Sequence, residues 1–273
     1  MLYDKLKLYS ESGVYPFHMP GHKRNPMLCD GIMPYEIDLT EIDGFDNLHN
    51  AEGCILEVQN LAEKLYNVKK AFLLVNGATG GILSAVRAMT NRGDKVLVAR
   101  NSHKSVYNAL ELCGLTPKYI VPKVDKEFGI NCSITPSQAE KAIMENPDAK
   151  LLIITSPTYE GAVSDIKEIS RIAHLHNVSV LVDEAHGAHF PFSKSFPSEA
   201  VASGADAAVA SLHKTLPSLT QTALLLTSNE SLINSFAENL AIFETSSPSY
   251  IFMSAIEKCL EFCENASAFD EYI

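Results

Sequence analysis

The stretch Val180-Leu181-Val182-Asp183-Glu184-Ala185-His186-Gly187-Ala188-His189 opens with an unbroken apolar run and places an acid where that run stops. A strand without polar alternation is one buried on both faces, the condition of a strand inside a parallel sheet covered by helices. Outward from it the same kind of run recurs, bounded by Gly, Asp or Asn, at Ala71–Val75, Lys95–Ala99, Lys118–Val121, Leu151–Thr155, Val178–Val182, Ala207–Leu212 and Ala223–Thr227. Between most of these lie segments with helical spacing, such as Ile55, Val58, Leu61, Ala62 and Leu65, or Ile166, Ile169, Ile172 and Ala173. Alternating strand and helix predicts an α/β fold with a mostly parallel sheet flanked by helices, and such sheets bind ligands beyond the carboxyl ends of their strands.

The chain of 273 residues is long enough for one large domain. Residues 1–50 are rich in Gly, Pro, His and Asn and are expected to be a loop-dominated segment lying over a site. Residues 51–250 form the large domain, and residues 251–273 follow a break at Ser246-Ser247-Pro248-Ser249. A net charge of -11 without any Lys/Arg run speaks against nucleic acid as a partner. The N-terminus mixes charged with apolar residues and lacks a continuous hydrophobic stretch, so neither a signal peptide nor a membrane anchor is expected. The six cysteines lack zinc-site spacing and are too sparse for a disulfide scaffold, which makes the cytoplasm the expected compartment.

Three elements carry chemistry. Asn76-Gly77-Ala78-Thr79-Gly80-Gly81 follows one strand and opens a helix. Such a turn presents free backbone N–H groups to an anion, and the hydroxyl of Thr79 adds a further donor; an ordinary strand-to-helix bend reads the same way. It matches neither the nucleoside-triphosphate nor the dinucleotide glycine pattern. Asp183 is the second element, because a carboxylate leaving a buried strand needs a cation or a set of donors. A helicase reading of Asp-Glu-Ala-His lacks its phosphate loop, and a metal reading through Asp183, His186 and His189 lacks a further ligand motif. A third reading pairs Asp183 with the ring nitrogen of a pyridine cofactor. The third element, Ser211-Leu212-His213-Lys214, sets an amine just past another apolar strand. An amine for an aldehyde, a carboxylate for a ring nitrogen and an anion turn are together what pyridoxal 5′-phosphate asks for.

The sequence resembles the ornithine/lysine/arginine decarboxylases of the aspartate-aminotransferase fold type. The resemblance runs collinearly from PFHMPGHKRN (16–25) through NGATGG (76–81), ARNSHKSV (99–106), TSPTYEG (155–161), VDEAHGAH (182–189) and SLHKTLPSLTQTALL (211–225) to SSPSY (246–250). It implies a pyridoxal-phosphate-dependent, transferase-like large domain of fold type I and decarboxylation of lysine, ornithine or arginine to an amine that serves polyamine biosynthesis, the alternatives being another reaction of the same fold type, such as transamination, or a truncated remnant that binds the cofactor without turnover. By position it assigns Lys214 to the covalent link with the cofactor aldehyde, Asp183 to the ring nitrogen and His103 to stacking on the ring. Ala185 would pack on the opposite face with His186 nearby, and Gly77, Thr79, Ser211 and His213 would handle the phosphate. The segment at 246–250 is similar to one that reaches a neighbouring subunit, which implies a homodimer or higher homo-oligomer. Two departures stand out. Ala78 sits where the family commonly has a serine, and the family continues into a small C-terminal domain, so residues 251–273 are read as the start of a helical connection to it.

Overall fold

A computed structural model describes residues 1–265 and 269, apart from the side chains of 29 and 30. Part of the segment assigned above to a helical connection, residues 266–268 and 270–273, lies outside the described residues. The strands are β1 (Lys70–Leu74), β2 (Lys95–Ala99), β3 (Thr116–Ile120), β4 (Leu151–Thr155), β5 (Ser179–Asp183), β6 (Ala207–Ala210) and β7 (Ala223–Thr227). They form one sheet in the order β1-β7-β6-β5-β4-β2-β3. Strands β2 to β6 pair in parallel, whereas β7 runs antiparallel to both β1 and β6. Because β7 is reversed against both neighbours, β1 points the same way as β6. The carboxyl ends of β1, β2, β4, β5 and β6 therefore share one edge of the sheet, the edge at which an α/β fold gathers its ligands.

The helices are α1 (Leu2–Glu11), α2 (Cys54–Tyr66), α3 (Gly77–Met89), α4 (Lys104–Cys113), α5 (Pro136–Glu145), α6 (Ile166–Leu175), α7 (Leu212–Thr215), α8 (Ile233–Phe243) and α9 (Tyr250–Cys263). Successive strand residues feed opposite cores, as the period-two pleat requires. Val180 and Val182 of β5 join a core with Ile55 and Val58 of α2, Ile169 of α6 and Met253 of α9. Leu181 joins a second core with Ile82 of α3, Val106 of α4 and Phe236 of α8. Each such fully buried Val or Leu contributes about 1.5–3 kcal/mol, and β5 has no polar residue between its ends to interrupt the series. By the same alternation Asp183 lies on the side of Leu181, toward α3 and α4.

Close packing has one specific requirement. A Cβ on Gly81 of α3 would lie 2.5 Å from Leu74 Cδ1 and 3.1 Å from Val209 Cγ1, so α3 rests on β1 and β6 at a distance only glycine permits.

The first fifty residues depart from the expectation of a loop-dominated segment, because Leu2–Glu11 is a helix. Leu2 and Leu6, four apart on one face, are buried in the core that also holds α2 and α9, and Tyr3 N–H donates to Glu257 Oε2 at 2.7 Å. Four strands also differ from their expected bounds, β1 and β5 by a single residue and β3 and β6 by more. β3 begins at Thr116, two residues before the expected start, with Pro117 tolerated at the edge of the sheet. β6 ends at Ala210 rather than Leu212, because the backbone turns into α7 there. No helix among the described residues is long and apolar enough to cross a membrane.

Candidate active site

At the shared carboxyl edge a cavity of about 180 Å³ is lined by Gly77, Ala78, Thr79, His103, Ser105, Asp183, Ala185, Ser211, His213 and Lys214. The turn after β1 supplies the first three. Gly77 adopts φ +72°, a left-handed conformation that glycine takes without strain, and this starts α3 toward the cavity. The first N–H groups of a helix have no partner within it and carry its positive end, so this turn is suited to an anion.

His103 follows β2 as the N-cap of α4: its Nδ1 accepts from the Ser105 N–H at 3.3 Å and lies 2.9 Å from Ser105 Oγ. A neutral ring accepting at Nδ1 carries its proton on Nε2. Asp183 ends β5 with only 4% of its surface exposed. Burial pushes its carboxyl above the usual range, opposed by the Ala185 N–H, the Lys214 ammonium and His103, all of which favour the charged form. A buried carboxyl in this balance is completed by a cationic N–H. After β6, Ser211 caps the short α7, on which Lys214 is displayed one turn later. The Lys214 ammonium lies 3.1 Å from His186 Nε2. Burial first, then the charge of Lys214, hold His186 below its ordinary pKa, so the imidazole is neutral and accepts from the ammonium. His213 donates from Nδ1 to the Thr222 carbonyl at 3.0 Å.

Of the ten positions singled out from the sequence, nine line this cavity, and His186 reaches it through its contact with Lys214. His189 takes no part: its ring packs edge-on against Phe190 and Phe196, and among the described residues no group of three His, Cys, Asp or Glu is placed to hold a metal ion. Ser105 lines the cavity without having been singled out; its signal was the hydroxyl two residues past His103, at a helix start. Thr155, in register beside Asp183, was likewise passed over, although it too is a polar residue closing an apolar strand.

Pyridoxal 5′-phosphate can be tested against observations of this cavity. Ser211 Oγ is fully buried with no partner among the described residues, a cost of about 1–3 kcal/mol that an arriving acceptor would remove. The Gly77 turn offers donors to an anion, the Asp183 carboxyl awaits a cationic N–H, and the Lys214 amine lines the same cavity. The residues fit the group.

A mostly parallel seven-stranded sheet with these features at one edge is the large domain of a fold-type-I pyridoxal-phosphate enzyme. Comparison with known proteins narrows this class. The model of the family "Orn/Lys/Arg decarboxylase, major domain" matches residues 1–268, and the chain belongs to that pyridoxal-phosphate-dependent family. It is 37% identical over 264 residues to an arginine decarboxylase of Bacillus subtilis, covering 94% of this chain and 54% of that protein. It is 40% identical over 263 residues to the protein YaaO of the same organism, covering 94% of this chain and 55% of that protein. The chain thus spans about half the length of the curated relatives it matches. The lysine decarboxylase of Francisella novicida shares its fold with a TM-score of 0.90 at 19% identity, covering 98% of this chain and 41% of that one.

Proposed function

We propose that this chain is the cofactor-holding part of a decarboxylase that converts a basic amino acid to its amine and CO2, in the cytoplasm and as a homo-oligomer. The convergence of Lys214, Asp183 and the Gly77–Thr79 turn on one cavity carries the reading. Family membership and the arginine decarboxylases among the relatives support the substrate class.

Bound pyridoxal phosphate supplies an aldehyde for amines and an electron-poor ring that accepts the electron pair left on Cα when the carboxylate departs as CO2. The chain's own residues bind, orient and move protons around it. Lys214 Nζ is the amine that would hold the cofactor's aldehyde, and as a free amine it would be the group placed to carry a proton to Cα. His186, neutral and 3.1 Å away, accepts a hydrogen bond from Lys214 Nζ and so fixes the position of that amine. Asp183 keeps a proton on the ring nitrogen, and its burial strengthens that ion pair by excluding water. His103, braced at Nδ1 by Ser105, limits the tilt of the ring. Gly77, Ala78, Thr79, Ser211 and His213 hold the anionic tail; the Ala78 methyl gives no hydroxyl, so the backbone carries more of that task.

The test pairs spectroscopy with product analysis. Wild-type protein mixed with pyridoxal phosphate is expected to develop a protein-bound visible absorbance band that Lys214→Ala lacks, and to form amine from arginine, lysine or ornithine. An undiminished band in the variant refutes the lysine assignment, and keto acid in place of CO2 and amine identifies transamination instead.

A further inference from the structure

We propose that Glu244 is a positioning residue for the anion turn: its side chain holds the backbone just ahead of Gly77, and its ionisation opposes binding of an anion there. The inference rests on the cofactor site proposed above and assigns a role to a residue outside that cavity.

Glu244 closes α8, with only 7% of its surface exposed. Its Oε1 accepts from the backbone N–H groups of Val75 at 3.0 Å and Asn76 at 3.3 Å, the last two residues before Gly77. On the other side of the same peptide, Gln221 Nε2 donates to the Val75 carbonyl at 2.6 Å. Peptide units are rigid planes, so fixing the amides of Val75 and Asn76 leaves Gly77 few ways to enter α3. The following residue closes the clamp: His49 Nε2 meets the Thr245 carbonyl at 2.9 Å, and Thr245 N–H points at Asn76 Oδ1. The side chain also underlies the first turn of α3, because a Cβ on Gly80 would lie 3.9 Å from Glu244 Oε1.

A carboxylate at this place is in conflict with the turn's purpose. The helix end that attracts a phosphate equally attracts Glu244, and two anions at one helix end repel. Protonation removes the conflict and leaves Oε1 free to accept from both amides. The remaining ionisable groups around the cavity that Glu244 borders do not neutralise it. His49 of the N-terminal segment is engaged with Thr245, and Lys70 of β1 is held by Glu63 and Gln59 of α2 at 2.9 and 2.8 Å. Burial accordingly raises the carboxyl to about 7, against the pull of the two amides. Proton uptake and anion binding are then linked, each favouring the other.

The experiment measures the affinity of the whole chain for pyridoxal 5′-phosphate, by its absorbance, at pH 6 and pH 8 for wild type, Glu244→Gln and Glu244→Ala. The cofactor's own phosphate titrates near this range, so the comparison between proteins at each pH is what counts. Glu244→Gln keeps the Oε1 acceptor without the charge; it should match wild type at pH 6 and bind about fivefold or more tightly at pH 8, the lower end of ordinary site-to-site coupling. Glu244→Ala should bind weakly at both. Parallel pH dependence of wild type and Glu244→Gln, or wild-type affinity in folded Glu244→Ala, overturns the role of Glu244 while leaving the cofactor site standing. No binding by wild type at either pH overturns both.

Discussion

Replacing Gly81 by alanine tests the closeness of α3 to the sheet. The added methyl would sit 2.5 Å from Leu74 Cδ1 and 3.1 Å from Val209 Cγ1, and a separation under 3.0 Å forces something to move. Leu74 cannot swing aside at no cost, because it and Val209 are fully buried. Overpacking of this kind costs about 1–3 kcal/mol. Alanine is a better helix former than glycine by about 1 kcal/mol, which offsets part of it. The net expectation is a loss of up to about 2 kcal/mol, which for a chain of this size lowers the melting temperature by up to roughly 8 °C. Urea denaturation of the variant gives the free energy directly. A second background sharpens the test: Leu74→Ala alone should cost about 2–5 kcal/mol, and adding Gly81→Ala to it should cost nothing or restore stability, since the clashing atom is gone. If Gly81→Ala stabilises the wild-type background as it would an exposed helix, the close approach of α3 to β1 and β6 is wrong.

Other consequences are open to the same methods. Tyr66 OH donates to the Ala188 carbonyl at 2.7 Å inside the core, tying α2 to the loop that carries Ala185 and His186; Tyr66→Phe should cost about 1 kcal/mol or somewhat more in urea denaturation. Glu184 and Glu199 are buried together, and burial with their mutual repulsion raises Glu184 well above its ordinary range and burial raises Glu199. An acid whose folded-state pKa is raised adds no penalty below its unfolded value near 4.5 and increasingly destabilises as pH climbs toward the folded one. The melting temperature of Glu184→Gln should therefore gain on that of wild type as pH rises above about 4.5; a difference that does not grow with pH would contradict the assignment.

The sheet is legible because all its strands except the exposed edge strand β3 are buried on both sides, leaving apolar runs that no surface element imitates. Asp183 and Lys214 stood out for a related reason: a charge at the end of such a run has no bland explanation as easy as that of a charge on a helix face. Helix α1 does not stand out, since only Leu2 and Leu6 turn fully inward and Asp4, Lys5 and Lys7 around them blur the period. Ser105 and Thr155 escaped notice because hydroxyls are common and chemically quiet in a sequence. What marks them is position, beside His103 at a helix start and beside Asp183 in the register of β4 and β5. Glu244 gives no signal at all along the chain, because the amides it serves lie 168 and 169 positions away.

The reversed strand β7 also fixes when the cavity can come into being. Lys70 of β1 pairs with Thr227 of β7, so the first strand of the sheet waits for a partner 157 residues later (227 − 70). Until β7 has been synthesised and has slotted between β1 and β6, the glycine turn and the lysine belong to unconnected stretches of chain. On a ribosome that delivers residues in order, the middle strands can associate early while β1 drifts. Affinity for the cofactor should thus arise late and abruptly in the life of the nascent polypeptide.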